Sequence, residues 1–387
     1  MHVFVSETPP VGHDRSAPRT AFSASLPRQP PRFRHRDESM MQPANQLLYL
    51  LYGKKPAYRY EAKFSILTAL ARHDKPSGLV IRLMTDDPQA FEGWPVDIIP
   101  LDAITLDKWA GNFGYAHRRK ACAIALAAGW AEKTVFIDCD TFFLAGPDRL
   151  FGKVGPGRYL VDEFEWHWKE AVTRPAYSQL AAALEASGQR PPDELRLYNS
   201  GLCGISRQDA PLIEEVIARI DQWGEHASRL HTVEQIALSF ALRDRVVSEG
   251  RGIIHHYYAQ KAFFHAMQEV FFARYGEDFS RKLVSLSREV PRQRPCPSVL
   301  RRLHIKWRLK GVNPELRQIG KKLMYGSFLP SSGYAQACRD VWWDSARRDL
   351  LRAQGYDLSR GWPAQLPRAG KGSESQFESF LRRFPCQ

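Results

Sequence analysis

Val135-Phe136-Ile137-Asp138-Cys139-Asp140-Thr141-Phe142-Phe143 is the stretch that decides the fold. Apolar residues run up to an acidic pair spaced i, i+2 and resume directly after it. Such a run is expected as a strand buried in a largely parallel sheet. Residues i and i+2 of a strand share a face, so Asp138 and Asp140 can reach one ion while Cys139 points away. Two carboxylates at the carboxyl edge of a sheet cost several kcal/mol if left unpaired. A divalent metal carrying a polyphosphate would compensate them. The same pair could instead cap the turn that follows at Ala145-Gly146-Pro147-Asp148.

Outward from this strand, the pattern is that of an open α/β sheet. Leu47 to Tyr52 is a first strand, ending at Gly53. Ala57 to Ala71 has helical spacing, with Phe64, Leu67 and Ala71 at i, i+3 and i+7. Leu79–Met84 and Val96–Ile99 are further strands. His117 to Gly129 is a helix with a basic entry, Arg118-Arg119-Lys120, closed by a C-cap glycine. Beyond Asp140, Arg158–Val161 is a strand ending at Asp162. A polar, proline-containing region leads to Leu197–Ile205, a strand interrupted by glycines. Pro211–Trp223 and Thr232–Leu242 are helices, the first opened by proline and the second by a Thr-x-x-Gln capping box. Gly252–Tyr258 is a last short strand. Ligands of such sheets sit beyond the carboxyl ends of the strands. No GxGxxG follows the first strand and no GxxxxGK[ST] occurs, which removes the dinucleotide and P-loop classes.

The 387 residues suffice for one large α/β domain with extensions, and 44% hydrophobic and 12% aromatic residues are globular values. Residues 1–39 are rich in Pro, Arg and Ser without hydrophobic periodicity and are expected to be a disordered extension. No stretch approaches the roughly 20 apolar residues of a membrane span. The opening MHVFVSETPP lacks the features of a secretory signal, and the six scattered cysteines suit a reducing cytosol, so a cytoplasmic location is expected. The net charge of +13 is concentrated: Arg281–Tyr325 holds thirteen Lys/Arg against two acids. An anionic partner follows, whether membrane, polyanionic substrate or nucleic acid. Within it, Arg301–Lys310 interleaves basic and apolar residues around Trp307. That composition suits an anionic membrane interface, expected at the inner face of the membrane.

Four segments in order resemble the metal-dependent GT-A nucleotide-sugar glycosyltransferases, and among these the glycogenin and lipopolysaccharide-galactosyltransferase group. They are VFIDCDTFF, LYNSGLCGI, TVEQIALSFAL and HYYAQK, within residues 46–265. The resemblance implies a GT-A catalytic domain over 46–265, an open mixed sheet flanked by helices, followed by a basic helical C-terminal extension over 266–387. It implies transfer of a sugar, with retention, from a nucleotide-diphosphate sugar (a UDP-sugar) to a glycan or lipid-linked acceptor. Mn²⁺ or Mg²⁺ would be held by Asp138, Asp140 and one histidine of the His255-His256 strand. The family's spacing to Lys261 implies His256. Lys261, Arg118 and Lys120 would face the donor phosphates, Asn199 and Gly201 the sugar, and Tyr52 the nucleobase, although Tyr52-Gly53-Lys54-Lys55 departs from the family's usual acidic or polar residue and aromatic there. Asp162, Glu234 and Gln235 would lie at the reacting centre, with Glu234 standing where the family uses Asp. Two alternatives stand beside this. A nucleotidyltransferase also pairs carboxylates with a metal, but Gly53-Lys54-Lys55 is a poor glycine-rich loop. A nucleic-acid-binding protein suits the charge, but no recognition signature is present and no specific nucleic acid is expected.

Overall fold

A computed structural model describes residues 43–73, 78–226, 228–355, 358, 361–368 and 371–383. The extension expected over 1–39 lies outside them. Among the described residues eleven strands follow in chain order: β1 (Asn45–Leu51), β2 (Leu79–Thr85), β3 (Asp97–Pro100), β4 (Lys133–Ile137), β5 (Thr141–Phe143) and β6 (Arg158–Val161). Then come β7 (Phe164–His167), β8 (Arg196–Tyr198), β9 (Leu202–Ser206), β10 (Val246–Glu249) and β11 (Ile254–His256). In β1, Leu47, Tyr49 and Leu51 join one hydrophobic cluster while Leu48 joins a second. The period of two thus produces a strand buried on both faces, the condition of a central α/β strand.

Seven strands form the main sheet in the order β10-β6-β9-β4-β1-β2-β3. All its pairs are parallel except those of β9, which runs antiparallel to β4 and β6. The sheet is therefore open and mixed, flanked by helices on both faces, as the resemblance implies. The chain moves from β1 out to β2 and β3, then returns to lay β4 on the other side of β1. The strand order reverses at that point, so a crevice opens beyond the carboxyl ends of β1 and β4.

Helix Pro56–Leu70 packs its apolar side into the first cluster; helices Arg118–Ala127, Pro211–Trp223 and Val233–Ala241 fill the second. The C-terminal helices bury Leu323, Met324, Trp342 and Trp343 in the first cluster too, so they share a core with β1. Position 265, drawn as a boundary from sequence, falls inside the helix Lys261–Tyr275.

Three sequence expectations are corrected here. Val135–Phe143 is broken into β4 and β5, and Leu197–Ile205 into β8 and β9, which belong to different sheets. Gly129 is not a left-handed cap: the helix ends at Ala128 with right-handed geometry. Beyond these three, the polar region after β6, to which the sequence reading gave no element, holds β7 and the helices Trp168–Ala171 and Pro175–Ala186.

One clamp ties helix Pro56–Leu70 to the C-terminal part. Arg59 donates through Nε and Nη2 to both Glu277 oxygens at 2.7 and 2.9 Å, and Lys63 donates to Oε2 at 2.9 Å. These bonds, Arg59 foremost, hold the Glu277 carboxyl down at about 2. A carboxyl depressed by folding stabilises above its unfolded pKa and loses that contribution as pH falls through the folded one. Glu277→Gln should therefore lower unfolding free energy at pH 7 by about 1–2 kcal/mol. In denaturant titrations the gap to wild type should shrink between roughly pH 4.5 and pH 2; a gap independent of pH would contradict the clamp.

Candidate active site

The site forms where several chain ends meet at one sheet edge. β1, β4 and β6 run toward it and deliver Tyr52, Asp138 and Asp162 just past their last residues. β9 runs away from it, so Asn199, Ser200 and Gly201 arrive just before its first residue. Asp138 N–H donates to the Gly201 carbonyl at 2.8 Å, and Tyr257 N–H to the Asp140 carbonyl at 3.1 Å. Residues 138–140 are thus a bend pinned from both sides, closed by the Thr141 hydroxyl on the Asp138 carbonyl at 2.9 Å. The two backbone bonds continue the β4–β9 and β5–β11 ladders in register, and the strand breaks where the chain passes from one partner strand to the other. The two carboxylates still converge, and the Cys139 thiol turns to the Leu50 carbonyl at 3.6 Å.

β11 pairs antiparallel with β5, setting His255 opposite Phe142 and His256 opposite Thr141. Neighbouring strand residues face opposite ways. His255 packs at a tilt against Phe142 and Phe264, with ring centroids 5.0 and 5.7 Å away. His256 faces the carboxylates. Its Nε2 lies 3.3 Å from Asp140 Oδ1 and 4.0 Å from Asp138 Oδ2, while Nδ1 lies 2.6 Å from Asp162 Oδ2. One donor atom from each of Asp138, Asp140 and His256 falls within 4.8 Å of the others. Two carboxylates and an imidazole are a suitable donor set for a hard or borderline divalent cation. A carboxylate on the far nitrogen of a ligating histidine fixes its tautomer and orientation, and Asp162 stands in that position. Burial opposes charge on His256, but Asp140 and Asp162 outweigh it and raise the pKa to about 10. Asp140 is in turn held below the usual carboxylate range: His256 and Lys261 overcome the opposing effect of its burial.

Two lysines flank these carboxylates. Lys261 opens the helix Lys261–Tyr275 and reaches Asp140 Oδ2 at 3.1 Å, with Glu61 3.8 Å away. Lys120, buried, donates to Asp138 Oδ2 at 3.2 Å and to Ser200 Oγ at 3.0 Å. Arg118 is not brought to them. Helical residues i and i+2 are about 200° apart, so they cannot face one site. Arg118 instead makes a two-pronged bond to Asp221 at 2.6 and 2.8 Å and donates to the Trp109 carbonyl. The expectation of a joint Arg118–Lys120 grip is corrected accordingly.

Glu234 is buried beneath the lysine, accepting from Ser200 Oγ at 2.7 Å and lying 3.9 Å from Lys120. Burial raises its pKa. Gln235 is half-buried and donates to Glu165 at 3.4 Å, while Asn199 donates to the other Glu165 oxygen at 2.9 Å. The anticipated capping box is absent, because Thr232 pairs with the Tyr177 hydroxyl and Gln235 with Glu165. Tyr52 lies under the Arg119 guanidinium, 4.7 Å from ring centroid to Cζ. Gly53, at φ +89°, donates its N–H to both Asp86 oxygens, fixing the turn out of β1. Glu165, Ser200, Glu61 and Asp86 escaped the sequence reading. For Glu165 a signal existed: Glu163 and Glu165 alternate with the aromatics Phe164 and Trp166.

No protein-family model matches this sequence, and no curated protein matches it either. Among solved structures, the apo form of mouse xyloside xylosyltransferase 1 is similar at 14% identity, covering 54% of this chain and 85% of that chain, with a TM-score of 0.36. At that degree of superposition the likeness assigns no residue roles.

Gly201 carries a tight steric constraint within the site. A Cβ there would lie 2.2 Å from the His256 ring at Cε1 and Nδ1, so any side chain displaces that ring. Gly201→Ala should weaken Mn²⁺ binding, followed by electron paramagnetic resonance, by roughly tenfold or more. Wild-type affinity in a folded Gly201→Ala protein would mean that His256 is not a ligand.

Proposed function

We propose that this chain is a divalent-metal-dependent glycosyltransferase, taking a hexosyl group from a nucleoside-diphosphate sugar (a UDP-sugar) and passing it, with retention, to a glycan or lipid-linked acceptor. The observation that carries the proposal is the convergence of Asp138, Asp140 and His256 at the crevice between β1 and β4, with Lys261 and Lys120 at its sides. An ion held by the three, Mn²⁺ or Mg²⁺, would supply Lewis-acid neutralisation of the charge that develops on the leaving diphosphate.

The chain's own groups have distinct tasks. Asp162 orients His256, so its nearest function is positional. Lys261, with its side chain 43% exposed, is the lysine that can reach a phosphate oxygen while paired with Asp140; Asp140 and Glu61 outweigh its burial and favour its charged form. Lys120 is too enclosed for that and balances Asp138 and Glu234 instead. Asn199 and Gln235, joined through Glu165, set two amides beside the cleft, where they can bind sugar hydroxyls. Tyr52 and Arg119 form a flat cationic shelf at the end of β1, suited to a nucleobase.

Retention agrees with the state of the nearby carboxylates. Asp162 is committed to His256 and Glu165 to two amides, so neither is a free base. The leaving phosphate then accepts the acceptor proton. Glu163 is a further carboxylate at this edge; burial raises its pKa, followed by Asp162.

With UDP-sugars and Mn²⁺, donor hydrolysis and transfer should fall by about 10²-fold or more in Asp140→Ala and His256→Ala. His255→Ala should retain most activity. Full activity in Asp140→Ala would remove the proposal. Separately, Glu163→Gln should keep activity within about threefold of wild type. A loss of about 10²-fold or more, with an inverted product anomer by NMR, would instead make Glu163 a general base.

A further inference from the structure

The helix Val299–Arg308 has two apolar faces, and only one is used. Ile305 and Leu309, at 1% and 2% exposure, anchor it to the first hydrophobic cluster. Val299, Leu300, Leu303 and Trp307 are 60%, 79%, 59% and 73% exposed. At about 100° per residue these four fall within an arc of roughly 100°, on the side opposite Ile305 and Leu309. Four large apolar side chains in one contiguous stripe exceed the scattered exposure that ordinary surfaces carry.

The charges beside the stripe indicate what covers it. On the same projection Arg302 and Lys306 lie along one border, and Arg301 and Arg308 along the other, with Lys310 just beyond the helix. None of these five cations forms an ion pair with a carboxylate among the described residues, although Arg301 also rests on the Phe328 ring at 5.1 Å. A second copy of this face would set cations against cations. Nucleic acid would satisfy the cations but leave the apolar stripe in water. No helix among the described residues is long and apolar enough to cross a membrane.

We propose that the helix Val299–Arg308 lies flat in the surface of an anionic lipid bilayer, with Leu300, Leu303 and Trp307 inserted among the acyl chains and Arg301, Arg302, Lys306, Arg308 and Lys310 on the headgroups. A helix held to its protein by one face and bare on the other presents a rigid wedge, so no ordering of the segment is needed on contact. Anionic lipid attracts the basic borders, and the stripe supplies the part of the binding that salt does not screen. This surface is independent of the catalytic proposal and stands or falls alone.

Flotation of the full-length protein tests it. Vesicles of phosphatidylcholine with about one third phosphatidylglycerol should carry the protein upward, and phosphatidylcholine alone should not. The triple variant Leu300→Ser, Leu303→Ser, Trp307→Ser should lose roughly tenfold or more in partitioning. Arg302→Ser with Lys306→Ser and Arg308→Ser should lose a similar factor at low salt. All six side chains are exposed or rim the helix, so thermal melts should match wild type and separate loss of binding from loss of fold. Equal flotation with neutral vesicles, no flotation, or an apolar variant that floats like wild type would overturn the proposal. So would a dimer abolished by the apolar substitutions, or duplex DNA binding that they leave unchanged.

Discussion

Excess negative charge gathered at one edge of a sheet is the constraint around which this molecule is arranged. Asp138, Asp140, Asp162, Glu234 and Glu61 approach one another in a largely dry crevice, and burial alone would make such a cluster strongly unfavourable. Lys120, Lys261 and His256 answer it, each within hydrogen-bonding or ion-pair distance of at least one carboxylate. His256 is the central member because two carboxylates hold its ring from opposite nitrogens. The same two contacts favour positive charge on its ring, beside the point where Asp138 and Asp140 converge. A divalent ion bound through Nε2 would displace a proton from that nitrogen, which would couple its affinity to pH.

The topology makes the cluster possible. Parallel strands β1, β4 and β6 all end at the same edge, whereas antiparallel β9 begins there. One edge therefore collects residues that follow three strands and precede a fourth. Gly201 belongs to the last group and leaves the space that His256 occupies, so backbone and imidazole are packed as one unit. The small β5–β11 sheet then sorts two adjacent histidines onto opposite faces, one among phenylalanines and one among carboxylates.

The basic C-terminal helices participate in the same construction. Their buried aromatics complete the first hydrophobic cluster, and the Glu277 clamp joins them to the helix that carries Glu61. Within this region, Val299–Arg308 is where burial and hydrophobicity part company.

Local pattern was enough for the strands around Asp138, since periodicity and acidic spacing are properties of a few consecutive residues. The Asp138–Asp140 pair was legible on that basis, and so were the open α/β sheet and the interleaved basic and apolar residues of 301–310, whereas the choice of His256 over His255 came from the resemblance. Tertiary structure alone decided the remainder. Arg118 was out of reach of sequence because its partner, Asp221, is 103 residues away. Asp162 could be placed at a strand end, but only the meeting of β6 with β11 put it on the His256 ring. Glu165 acquired a place through two amides on separate elements, and strands 135–143 and 197–205 divided because the halves of each pair with different partner strands. Hydrophobic period is written residue by residue, whereas the pairing of charges depends on which chain ends share an edge, and folding alone fixes that.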